Sequence, residues 1–139
     1  MFLTEQELKE TFWKYYNYKG RAIRHQFEVE VRPGGIDLVT LEKFQGQYQL
    51  NAFEFKLQDI KKVILQAKGN LPYVNKSWIV VPAEKEKVIR ERYLQHIQDA
   101  AYIGVITVED GGQWKVLHQP TFQKEIRLHQ AILNLMIKE

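Results

Sequence analysis

The chain has 139 residues, 45% hydrophobic and 27% charged, with a formal net charge of +3 and no cysteine. That balance belongs to folded globular chains, and the length suits one domain built from a sheet with covering helices. It excludes disulfides, zinc–thiolate centres and thiol nucleophiles; with no signal-like or bilayer-length apolar run, the expected setting is cytoplasmic.

The opening "LTEQELKETFWKYYNY" predicts a helix. Thr4 and Glu7 form a capping box, Leu8, Phe12, Tyr15 and Tyr16 recur at helical spacing, and Gly20 is the stop. "HQFEVEV" alternates as a strand does, and "RPGG" is turn chemistry. "IDLVTLEKF" and "YQLNAFEFK" are two further strands around "QGQ". The period then changes: "QDIKKVILQAKGN" puts Ile60, Val63, Ile64 and Ala67 on one helical face, closed by Gly69 and Asn70. "KSWIVVP" is nearly all apolar, as a strand buried on both faces is. "AEKEKVIRERYLQHIQDA" is a charged amphipathic helix. "YIGVITVED" and "QWKVLHQP" make a hairpin across Gly111 and Gly112. A final helix, "TFQKEIRLHQAILNLMIKE", has Ile126, Ala131, Leu133 and Met136 among its apolar positions. The order α-β-β-β-α-β-α-β-β-α predicts a single α/β domain over residues 1–139, with a mixed sheet flanked by helices.

One patch stands out chemically. Glu54 and Lys56 lie two apart on a strand and so project from one face, with Phe55 pointing away. If Gln45 and Gly46 form a two-residue turn, Phe44 faces Gln47, and counting outward sets Asp37 opposite Glu54. The same count across "RPGG" sets Glu30 opposite Asp37. Up to three carboxylates and an ammonium then share one patch. Clustered carboxylates repel, and a divalent cation relieves the conflict; hard oxygen ligands favour Mg²⁺ or Mn²⁺. Beside such an ion, Lys56 is placed to orient a water and to stabilise charge on a phosphate.

"GGIDLV", then "FEFK", then a helix carrying "ILQA", resembles the PD-(D/E)XK nuclease superfamily, whose fold is restriction-endonuclease-like. The run "EFKLQDIKKVILQAKGNLPYVNKSWIVVP" is similar in layout to MmcB-like DNA-repair proteins and to archaeal Holliday-junction resolvases. The resemblance spans Gln26 to Pro82 and departs from the motif where Ile36, not proline, precedes Asp37. It implies a Mg²⁺- or Mn²⁺-dependent nuclease acting on nucleic acid, DNA foremost, in repair, recombination or mobile-element biology. It further implies Asp37, Glu54 and the Phe55 carbonyl as metal ligands, with Glu30 as a further ligand candidate, Lys56 as the residue that positions the water and Gln66 as a support for Lys56 or the phosphate. Family members often add a glutamate from the first helix. Glu7 is spent on the cap and Glu10 lies opposite the apolar face, which leaves Glu5.

Each residue also has a plain structural reading. Asp37 is at home capping the "PGG" turn, and Glu54 with Lys56 suits a strand face of cross-strand pairs. Lys61, Lys62 and Lys68 could track a phosphate backbone or simply be solvated. A catalytically silent member of the fold, kept as a nucleic-acid- or protein-binding module, is therefore the rival reading. So small a domain has little room for separate recognition elements, so a homodimer or partner protein is a further expectation.

Overall fold

The computed structural model describes residues 1–126 and Ile132. Helix α1 covers Glu5–Tyr16. One half of the predicted capping box forms, since extended Thr4 accepts from the Glu7 N–H at 3.0 Å, whereas the Glu7 carboxylate reaches back to the Leu3 N–H at 3.4 Å instead of that of Thr4. Leu8, Phe12 and Tyr16, four apart, form its buried stripe.

Six strands follow: β1 (Ala22–Val29), β2 (Ile36–Phe44), β3 (Gln47–Phe55), β4 (Lys76–Pro82), β5 (Ile103–Val108) and β6 (Trp114–His118). Helix α2 (Ile60–Gly69) joins β3 to β4, and a helical run over 83–99 joins β4 to β5. That run is not one regular helix, because it passes from a 3₁₀ turn through a π turn at Ile89–Tyr93. Spatial order in the sheet equals chain order. The β1–β2–β3 and β5–β6 pairs are antiparallel, while β3–β4–β5 are parallel and need the helical crossovers. The architecture is α/β, a mixed six-stranded sheet flanked by helices.

The two faces bury different layers. Phe12 of α1 lies among Phe53, Phe55, Trp78 and Val80. On the other face Val63 and Ala67 of α2 and Ile89 and Ile97 of the crossover cover Ile79, Val81, Ile103 and Val105. The turn between β5 and β6 meets Tyr15, and Gly112 there has φ +97°; a Cβ would also sit inside the Tyr15 ring. Of the expected final helix, residues 121–126 are irregular, with the Gln123 N–H donating to the Asn75 carbonyl at 2.9 Å. The rest lies outside the described residues, apart from Ile132, which is buried with Val29 and Val39. Among the described residues no helix is long and apolar enough to cross a membrane.

Candidate active site

The two-residue turn at Gln45–Gly46 fixes the β2–β3 register as the sequence count expects, with Phe44 facing Gln47 and Leu38 facing Phe53. Both turn residues have positive φ, 51° and 80°, as a twisted hairpin requires. Beyond the Leu38–Phe53 pair the backbone ladder stops and side chains replace it. Asp37 Oδ2 accepts from the Phe55 N–H at 2.9 Å, and the Asp37 N–H points at Glu54 Oε2 at 3.4 Å. Asp37 and Glu54 therefore lock the splayed ends of the two strands together.

Glu54 is 1% exposed, so its charge needs compensation. All of it is directed at one oxygen. Oε2 accepts from Asn70 Nδ2 at 2.9 Å and from Arg32 Nη2 at 3.2 Å. Arg32 is held in turn: Nε donates to Asn70 Oδ1 at 2.6 Å, and Nη1 to the Pro33 carbonyl at 2.9 Å. Glu54 Oε1 is buried with no hydrogen-bond partner. Burial, reinforced by the Asp37 charge, pushes the Glu54 carboxyl up to about 7 despite Asn70 and Arg32. Asp37 is also raised, by burial first, with the Phe55 N–H opposing and Glu28 adding to the rise.

Lys56 lies just past the end of β3, where strand alternation no longer directs it. Its ammonium sits 3.6 Å from Glu5 Oε2 in the first turn of α1. Of the helix glutamates, Glu5 is thus the one brought to the site; Glu7 serves the cap and Glu10 accepts from Gln6 at 2.8 Å. Gln66 is half-buried, and its Oε1 has no partner. Its backbone carbonyl is 3.4 Å from Arg32 Nη2.

The Glu30 expectation is corrected. Val29 pairs with Ile36 and Phe27 with Leu38, which sets Glu28 opposite Asp37. The strand ends two residues earlier than the turn count assumes, because 30–35 form a wider loop in which the Gly35 N–H donates to the Arg32 carbonyl and Gly34 and Gly35 have positive φ. Glu30 is exposed beyond the strand. Glu28, at φ 52°, turns to Lys9 of α1 at 2.7 Å. Arg32 and Asn70 are the residues that sequence reasoning missed. The available signal was the need for a cation beside any carboxylate buried on an internal strand.

Among the described residues no three histidine, aspartate or glutamate side chains converge to hold a metal. A divalent cation would take two carboxylates, Asp37 and Glu54, with the Phe55 carbonyl. That set suits Mg²⁺, which uses one or two carboxylates and keeps several waters. Glu54 Oε1 is buried without a hydrogen-bond partner, so it is an acceptor not otherwise used, and the residues fit such an ion. No protein-family model matches the chain, and none of the curated proteins matches it.

Proposed function

We propose that the protein is a Mg²⁺- or Mn²⁺-dependent nuclease with a restriction-endonuclease-like fold, hydrolysing phosphodiesters of nucleic acid, DNA foremost. The observation that carries this reading is the pairing of Asp37 with Glu54 at the splayed end of β2 and β3, one buried glutamate oxygen left without a partner. When bound by Asp37, Glu54 and the Phe55 carbonyl, the cation would supply Lewis-acid activation of water and phosphate. The chain's own groups do the rest. Lys56, held by Glu5, orients the water and offers its charge to the phosphate as negative charge builds there. Gln66, whose carboxamide oxygen is buried and unpaired, is the group assigned to support Lys56 or the phosphate. Arg32 and Asn70 fix Glu54 through Oε2 and leave Oε1 for the ion.

The ion pair from Arg32 favours a second reading. It neutralises Glu54 without any metal, as a catalytically silent binding module would need. The test is cleavage of structured DNA and RNA substrates in Mg²⁺, Mn²⁺ and EDTA. Cleavage with either ion and none in EDTA supports the nuclease; nucleic-acid binding without cleavage in all three supports the module.

A further inference from the structure

On the α1 face, at the other end of β3, lies a cavity of about 280 Å³ that the Asp37 site does not involve. Its floor is a polar stripe across the middle strands: Glu42 of β2, Gln49 and Asn51 of β3, and Lys76 of β4. Its walls include Trp78, Trp114 and Tyr16. Buried polar groups normally find partners, and here several have none. Asn51 is 2% exposed; its Oδ1 accepts from Trp78 Nε1 at 3.0 Å, but its Nδ2 is unpaired. Gln49 Oε1 is buried and unpaired. Lys76 makes no hydrogen bond or ion pair among the described residues, although burial lowers its pKa. Arg21 has no carboxylate partner either; its guanidinium stacks over the Tyr16 and Trp114 rings at 4.7 and 5.0 Å.

The one acid present is already engaged. Glu42 accepts from the Tyr16 hydroxyl at 2.8 Å and from the Thr40 hydroxyl at 2.6 Å. The remaining inventory is two cations that make no ion pair, with the Glu42 charge acting on Lys76 from across the cavity, one carboxamide donor, one carboxamide acceptor and aromatic rings in the wall. A ligand that completes it has an anionic end, a planar ring and both a donor and an acceptor on the ring's edge. Asn and Gln carboxamides are the side chains that pair in that way with a base edge, and aromatic rings stack on bases. The volume lies just under the lower limit of about 300 Å³ for small-molecule sites, so the cavity suits a ligand no larger than a single nucleotide.

We infer that this cavity binds a single nucleotide, its phosphate between Lys76 and Arg21 and its base edge on the Gln49–Asn51 pair. The inference does not rest on the nuclease reading. The nucleotide is either free or the phosphorylated end of a strand.

Calorimetry with adenosine 5′-monophosphate, adenosine, inorganic phosphate and a 5′-phosphorylated oligonucleotide tests it. Adenosine monophosphate should bind at least about tenfold more tightly than either half alone. Equal binding by the oligonucleotide that is lost in Arg21→Gln identifies a strand end; binding of the mononucleotide alone identifies a free nucleotide. Lys76→Met and Arg21→Gln should each weaken binding about tenfold or more, and Glu54→Gln should leave it unchanged. Arg21 is exposed, so its variant carries the test if circular dichroism shows Lys76→Met misfolded. No heat with the mononucleotide at millimolar concentration, parental binding by the Arg21 variant, or binding lost in Glu54→Gln would each overturn the assignment.

Discussion

Arg32 Nη2 stands 3.2 Å from Glu54 Oε2, so the carboxylate buried at the end of the sheet already has a cation beside it. Removing one partner of a buried pair leaves the other uncompensated, at a cost of about 3 kcal/mol. Arg32→Met should therefore destabilise the fold by about that amount at pH 8, and less at pH 5, where Glu54 can hold a proton instead. Adding Glu54→Gln should recover most of the loss. Urea denaturation of the two single variants and the double variant checks this, and strictly additive losses would count against the pair.

The proton on Glu54 gives the fold a pH dependence of known sign. The folded carboxyl titrates near 7 against an ordinary value of 4.5, so the folded state binds more protons in that window. Its contribution is complete below the ordinary value and lost as the pH rises through the folded one. Parental stability should fall between pH 5 and pH 7.5, and Glu54→Gln should flatten the slope. The urea midpoint of both proteins across that range reads it.

If Glu54 is a metal ligand, Mn²⁺ must stabilise the fold, since a ligand that binds only the native state always does. The melting temperature should rise with Mn²⁺, more at pH 8 than at pH 6, because the ion competes with the proton on Glu54. In Glu54→Gln the rise should vanish. A rise that survives the substitution places the ion elsewhere.

Lys56 separates enzyme from binding module. Losing one charge contact made in the transition state costs on the order of 10²–10³ in rate, while phosphate affinity is spread over many cations. Lys56→Ala should cut turnover by that factor and weaken substrate binding only slightly. Glu5→Gln, which frees the ammonium from its only close carboxylate among the described residues, should lower turnover less than Lys56→Ala. Single-turnover cleavage and equilibrium binding on one substrate decide it, and small, equal losses would speak for a module.

The β2–β3 register was legible in the sequence because a two-residue turn leaves no freedom: once Gln45 and Gly46 are the turn, Asp37 must meet Glu54. The β1–β2 register was not legible, since "RPGG" reads as tight while the chain uses all of 30–35 to turn. Glu28 thereby takes the place expected of Glu30. Arg32 and Asn70 were read as a turn residue and a helix stop, which they also are. Their second task depends on contacts between segments far apart in the chain, and no local pattern encodes those. Glu5 was reachable because helical spacing alone sets it on the face of Leu8 and Phe12.

The sheet's spatial order follows the chain without exception, from β1 to β6. On a ribosome, each new strand therefore finds its neighbour already made, and no edge has to be held open for a later arrival. The first helix is different. Phe12 and Tyr16 of α1 rest on Trp114 of the last strand, with ring centres 6.3 and 5.2 Å apart. These contacts join the earliest and latest parts of the described chain, and closing so long a loop is slow. During synthesis Phe12 and Tyr16 can settle on Phe53 and Phe55 early, but their side facing Trp114 should stay uncovered until β6 emerges, a vulnerable interval in which a chaperone has apolar surface to hold.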